Sequence, residues 1–248
     1  MTTEKTGLSG SIALITGATA GIGRATALAL AERGAEVIVH GRDPDRAADT
    51  VTRIEALGGK ARFEAADLAD AGEVRRLAQA AGQIDILVNN AGIFRFARTA
   101  DTDDTTFDAH VDVNLRAPFL LVQALAPGMA ARGRGAVVNV SSGAAAVPGH
   151  GTGIYGATKA ALESLTRAWA AEFGPAAVRV NTVAAGPTRT EGTAAFGEQF
   201  ETAGKSTALQ RLADAGEIAD AIAFLVSPAA GYVNGAVLNA MGGMPAIG

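Results

Sequence analysis

The stretch Ile12-Ala13-Leu14-Ile15-Thr16-Gly17-Ala18-Thr19-Ala20-Gly21-Ile22-Gly23 decides the fold of this chain. Its first four residues form a continuous apolar run, as in a strand buried on both faces of a parallel sheet. Glycines follow at 17, 21 and 23, and Ile22, Ala25 and Ala29 then fall on one helical face. Strand, glycine-rich turn and helix in that order make an anion cradle. Glycines let the backbone approach a pyrophosphate, and the helix N-terminus offers unpaired N–H groups and the positive end of its dipole. The expected contacts are Gly17, Thr19, Ala20, Gly21, Ile22 and Gly23, and the ligand is a dinucleotide.

Outward from this stretch the same alternation repeats. Apolar runs at Val37–Val39, Ala61–Ala65, Ile84–Val88, Ala136–Val140, Val178–Val183 and Ala236–Leu238 predict strands. Between them lie helical patterns. Asp43-Pro44 reads as an N-cap and first helical residue, Gly34 as a helix stop, and Asp214-x-x-Glu217 as a capping box. Glu73–Ala81 reads as helix, and so does a long span from Asp104 to Ala131 with irregularities expected at Pro118 and Pro127. The pattern predicts one α/β domain over residues 1–248. It is a doubly wound parallel sheet of the Rossmann type, with about seven strands and helices on both faces. Residues 1–8 are expected to be loose.

Composition narrows the function. The 248 residues are 48% hydrophobic and 19% charged, with net charge −4, so no basic field recruits nucleic acid or an anionic membrane. There is no cysteine, which removes disulfides, thiolate metal sites and a thiol nucleophile and fits a reducing compartment. His40, His110 and His150 are scattered without metal spacing, so no metal is expected. No apolar run approaches a membrane span or a signal peptide, and the expected location is cytoplasmic.

The chemistry concentrates in Ser142, Tyr155 and Lys159. Tyr155 and Lys159 are four apart in a helical segment and project from one face. Ser142 follows the apolar run at 136–140. An ammonium beside a phenol favours the phenolate and is expected to bring its pKa down toward neutrality. A hydroxyl can polarise a carbonyl as negative charge develops on its oxygen. The trio is a proton donor arranged for a reactive oxygen.

Taken together, Thr16–Gly23, Asn89-Asn90-Ala91-Gly92 after strand four, Asn114, Ser142 and Tyr155-x-x-x-Lys159 resemble the short-chain dehydrogenase/reductase family over nearly the whole chain. The resemblance implies that Tyr155 is the general acid or base. It implies that Lys159 lowers the Tyr155 pKa and holds the nicotinamide ribose, that Ser142 polarises the substrate oxygen, and that Asn114 anchors a water in a proton relay. It further implies that Asp67 and Leu68 contact adenine, although Asp67 also reads as a helix N-cap. Asn90, with Ala91 and Gly92, would lie by the adenosine ribose, and Thr188 and Thr190 by the nicotinamide amide and phosphates. The activity implied is reversible reduction of a ketone to a secondary alcohol, as in 3-oxoacyl-(acyl-carrier-protein) reductases. A sugar or polyol dehydrogenase and a non-catalytic NADP-binding regulator remain open.

Relatives that prefer NAD usually carry an acid at the end of strand two. Here that position is Gly41, followed by Arg42, which can pair with a 2′-phosphate. NADP is therefore expected over NAD, although Ala20 is not the basic residue many NADP users place in the glycine loop. Residues 188–207 are expected to form a substrate lid, with Phe196, Phe200 and Ala203 on one helical face, as a pocket wall or as core packing. Phe94, Phe96, Val147 and His150 flank the expected entrance. Ala185, Gln210 and Met241 depart from the family pattern. The resemblance also implies a homotetramer built through the long helix and the Tyr155 helix.

Overall fold

The structure, a computed structural model, describes residues 7–243. The strands are β1 (Ile12–Ile15), β2 (Glu36–Gly41), β3 (Lys60–Ala65), β4 (Ile86–Asn89), β5 (Gly135–Ser142), β6 (Val178–Ala185), β7 (Thr188–Arg189), β8 (Ala213–Asp214) and β9 (Val237–Ala240). The helices are α1 (Gly21–Glu32), α2 (Pro44–Ala56), α3 (Ala71–Ala81), α4 (Asp104–Val111), α5 (Ala117–Ala131), α6 (Gly153–Phe173), α7 (Gly197–Lys205) and α8 (Ala215–Val226). Seven strands form one sheet in the order β3-β2-β1-β4-β5-β6-β9, every neighbouring pair parallel, and β7 and β8 form a separate short pair. All seven expected strands are in that sheet.

Side-chain alternation along each strand divides the interior into two cores. Ala13 and Ile15 of β1, Ile86 and Val88 of β4, and Ala136, Val138 and Val140 of β5 face α1 and α8, where Ala27, Leu30, Ile218 and Ile222 cover them. Leu14, Leu87 and Val137 face the opposite way, under α3, α5 and α6, against Leu77, Leu121, Met129, Leu162 and Trp169. Both faces are therefore dry, which is why the strands read as continuous apolar runs.

The caps expected from sequence are present. Asp43 accepts from the N–H groups of Asp45 and Arg46 at the start of α2, and Asp214 with Glu217 forms a capping box on α8. Asp70, rather than Asp67, caps α3, which begins at Ala71. Of the segment expected to be loose, residues 1–6 lie outside the described residues. Leu8 is buried and its N–H donates to the Arg33 carbonyl at 2.7 Å.

The span expected as one long helix is two helices joined by a π-helical turn, Asp112–Arg116. The irregularity lies just before Pro118. Proline has no N–H to offer the carbonyl four residues earlier, which is that of Asn114, and its ring crowds that carbonyl. The ladder widens to i→i+5 bonding: the Ala117 N–H donates to Asp112.

Candidate active site

The glycine loop is packed too closely to admit a side chain at Gly23. Gly17 and Gly21 have φ of +66° and +50°. A Cβ on Gly23 would stand 2.2 Å from the Gly17 carbonyl oxygen and 2.5 Å from Asn90 Nδ2. Ala20 is the extended N-cap residue of α1, with Ile22 and Gly23 in the first turn. Thr16 Oγ1 accepts from the N–H groups of Asn90 and Ala91, both at 3.0 Å, and Asn90 Nδ2 donates to the Thr16 carbonyl at 2.8 Å. Asn90 thus builds the cradle with its amide. The described residues around the α1 N-terminus fit the pyrophosphate of a dinucleotide: glycine backbone and a helix end.

Two side chains that the sequence reading left without a role complete this region. His40, buried at the end of β2, accepts from the Gly17 N–H through Nδ1 at 3.2 Å, and its Nε2 lies 3.1 Å from the Ala66 carbonyl. Burial lowers its pKa to about 4, so the ring is neutral and donates from Nε2. Glu191 reaches back from the loop after β7: its Oε2 accepts from the Gly21 N–H at 2.9 Å, and Oε1 pairs with Arg24. Thr190 packs on Gly21, where a Cβ would stand 3.0 Å from Thr190 Cβ and Cγ2. Thr188 is buried and donates to the Gly186 carbonyl.

At the end of β2, a Cβ on Gly41 would stand 2.4 Å from Thr19 Cγ2, so Thr19 fills the space a carboxylate would need. Arg42 is exposed just beyond. Asp67 is exposed, its N–H donating to Glu73 Oε2 at 2.6 Å. Leu68 is buried in the core, leaving only its backbone to face a ligand.

The catalytic candidates meet at the C-terminal ends of β4 and β5. Asn114, fully buried in the π turn, accepts from the Ile93 N–H through Oδ1 at 2.8 Å. Its Nδ2 donates to the Ile93 carbonyl at 3.0 Å and to Thr158 Oγ1 at 3.3 Å. Lys159 Nζ donates to the Val140 carbonyl at 2.8 Å and lies 5.9 Å from the centre of the Tyr155 ring. A Cβ on Gly92 would stand 3.2 Å from Lys159 Nζ and 3.3 Å from Asn114 Oδ1, so that glycine lets three elements touch. Ser142 Oγ accepts from the Ala144 N–H at 3.2 Å.

The electrostatics differ from the sequence expectation. Burial lowers the Lys159 pKa to about 8. Burial also raises the Tyr155 phenol above its ordinary value, and the Ser142 hydroxyl opposes the rise. The ammonium is committed to the Val140 carbonyl rather than to the phenol oxygen, so desolvation outweighs it.

A buried polar row fixes α6 on the sheet beneath these groups. Asn89 Nδ2 donates to Asn139 Oδ1, Asn139 Nδ2 to Thr166 Oγ1, and Thr166 hydrogen-bonds Thr182, each at 2.8 Å. Asn89, Asn139 and Thr182 are register partners on β4, β5 and β6. Polar residues inside apolar strand runs were the signal available in the sequence.

Two of the residues expected at the entrance, Phe94 and Phe96, belong to an aromatic cluster. Phe94, Phe96, Phe196 and Phe200 form a chain of ring contacts that reaches Tyr155, whereas His150 is exposed. The three departures from the family pattern gather elsewhere. Ala185 pairs with Ala240, and Met241 backbone lies against Gly186. Gln210 has φ of +54°. Met241 and Gly186 line a cavity of about 190 Å³ beside the Arg211–Glu217 ion pair. No group of residues that could hold a metal occurs among the described residues. No helix among them is long and apolar enough to cross a membrane.

Sheet order and glycine cradle define a dinucleotide-binding α/β protein. A family model described as enoyl-(acyl carrier protein) reductase matches residues 17–245. A 3-oxoacyl-[acyl-carrier-protein] reductase of Thermotoga maritima is 36% identical over 242 residues, covering 96% of this chain and 98% of that protein. Among solved structures, a 3-oxoacyl (acyl-carrier-protein) reductase of Agrobacterium tumefaciens with NADP bound superposes with a TM-score of 0.94 at 33% identity, covering 98% and 97% of the two chains. A 7α-hydroxysteroid dehydrogenase complexed with NADH and 7-oxo-glycochenodeoxycholic acid also superposes with a TM-score of 0.94 at 33% identity, covering 99% and 98%. The chain belongs to the short-chain dehydrogenase/reductase family of oxidoreductases.

Proposed function

We propose that this protein reduces a ketone to a secondary alcohol with NADPH, reversibly, and that Tyr155 supplies the proton. The observation that carries the reading is the meeting at Gly92, where Lys159 and Asn114 close on the segment that also builds the glycine cradle. One set of contacts thus joins a dinucleotide site to a proton donor. The bound nucleotide supplies a hydride to the carbonyl carbon.

The chain's own residues do the rest. Gly17 and the first turn of α1, from Ala20 through Gly23, receive the pyrophosphate. Asp67 and the Leu68 backbone face adenine, Asn90 to Gly92 border the ribose, and Thr188 and Thr190 border the nicotinamide end. The Lys159 ammonium holds the nicotinamide ribose. Ser142 orients the carbonyl oxygen, the Tyr155 hydroxyl protonates it, and Asn114 steadies the route by which Tyr155 is reprotonated. The Tyr155 phenol, raised by burial, holds its proton at neutral pH. Residues 188–207 act as the lid.

NADP over NAD is supported by Gly41, whose space Thr19 fills, and by the exposed Arg42 beside it. A tetramer is supported by a groove of about 510 Å³ formed by the end of α4, the π turn, α5 and α6, lined by Val111, Leu115, Phe119, Ala161 and Leu165 together with Arg116 and Ser164. A cytoplasmic location rests on the cysteine-free composition alone.

Steady-state turnover of a ketone panel tests the reading. Tyr155→Phe is expected to lower kcat by roughly a thousandfold, with NADPH binding retained. Arg42→Ala is expected to lower the ratio of kcat/KM with NADPH to that with NADH. A wild-type ratio below one overturns the cofactor assignment. Tight NADPH binding without turnover of any ketone establishes the regulator instead.

A further inference from the structure

Four of the nine phenylalanines of the chain form one run of ring contacts that reaches Tyr155 through Phe96. Phe96 meets the Tyr155 ring edge-on, with centroids 5.7 Å apart. Phe196, from the lid, stacks on Phe96 at 5.8 Å and contacts Phe94 at 5.9 Å, and Phe200 follows at 5.9 Å from Phe196. None of the four belongs to either hydrophobic core. Of the two readings of the lid's aromatic face, the pocket wall is the one this placement favours. Phe96 remains 49% exposed, a large cost in water for a ring with no core to join.

The wall is held in place from behind. His110 is fully buried, its Nδ1 donates to the Thr106 carbonyl at 2.8 Å, and its Nε2 accepts from the Arg95 N–H at 3.2 Å. That bond fixes the peptide between Phe94 and Phe96. The His110 ring also stands 6.4 Å from Tyr155, edge to face, closing that flank of the phenol.

We propose that the substrate is a ketone bearing a flat apolar substituent, an aromatic or fused carbocyclic ring, seated against Phe94, Phe96 and Phe196. The proposal rests on the reading of Tyr155 as proton donor. A flat ring gains offset or edge-to-face contact on this wall. A polyhydroxylated chain would lose water from each hydroxyl and find only ring carbons in return. The reaction breaks the C=O π bond, forms a C–H bond with the nucleotide's hydride and its electron pair, and forms an O–H bond with the Tyr155 proton, which solvent replaces.

The test compares ethyl benzoylacetate, ethyl acetoacetate and fructose as substrates of the NADPH-saturated enzyme. It also titrates the aryl product, ethyl 3-hydroxy-3-phenylpropanoate, calorimetrically into the protein alone. We expect kcat/KM for the aryl ketone to exceed that for the methyl ketone by roughly tenfold or more. Phe96→Ala and Phe196→Ala should each cut that ratio by roughly tenfold, through KM. The same variants should weaken the calorimetric binding, with circular dichroism unchanged. An equal or better kcat/KM for ethyl acetoacetate or fructose overturns the proposal, as does a loss that falls equally on both esters. If no ketone turns over, the proton-donor reading fails. The titration then decides the wall: binding lost on Phe96→Ala upholds it, and absence of wild-type binding overturns it.

Discussion

The imidazole of His40 has its two nitrogens committed in opposite directions, one to the glycine loop and one to the end of β3. The Gly17 bond needs the neutral ring, because a protonated Nδ1 cannot accept, whereas the bond to the Ala66 carbonyl survives protonation and favours it. Burial opposes protonation, with Arg42 reinforcing and Asp67 opposing it, and the pKa falls from 6.5 to about 4. The unfolded chain therefore binds this proton at higher pH than the folded one. Stability from His40 is complete above pH 6.5 and is lost as pH falls toward 4, on the order of 3 kcal/mol in all. Thermal melts should show a steeper loss between those pH values in the wild type than in His40→Asn. Equal slopes would mean that another group governs the window. Gly17, Gly23, Tyr155 and Lys159 stand out in the sequence as candidates because local spacing, read with the strand–turn–helix context around it, marks them. His40, His110 and Asn139 were opaque, since their partners are on strands and loops far away in sequence, and only the strand order brings them together.

Elements show the same division. The caps of α2 and α8 were legible because a cap is a local bargain between a side chain and the next three N–H groups. The π turn was partly legible: Pro118 marked an irregularity, but not that the widened turn would carry Asn114. The sequence predicts a lid in the loop after β7 but carries no sign of where that loop's charge falls. Glu191 occupies the Gly21 N–H and pairs with Arg24. Burial tends to raise this carboxyl, and the bonds from the backbone and Arg24 outweigh it and hold it below its ordinary value. A phosphate approaching the α1 N-terminus meets that carboxylate as a rival. Removing the charge with Glu191→Gln should tighten NADPH binding about fivefold, measured by fluorescence titration. Weaker binding in that variant would show that Glu191 instead clasps the lid over bound nucleotide.

At the scale of the molecule, the parallel sheet sends every glycine and proton donor of the site to one end. The α5–α6 groove lies on the flank, with Phe119 42% exposed. Light scattering should give a particle of four 24.9-kDa chains, and Phe119→Glu should reduce its mass. A wild-type monomer would rule the tetramer out. The strand set was legible from apolar runs and the parallel order from alternation. The outer faces were not, because an exposed apolar stripe and a buried one read alike in sequence. The connections at the two ends of the sheet are unequal. Those from α1, α2, α3 and α5 into the next strand are three or four residues long, while 90–98, 143–152 and 186–212 crowd the other end. The short-turn pole is therefore a handle: a tether joined at the Gly133 turn would grip the molecule there and leave its working mouth facing outward.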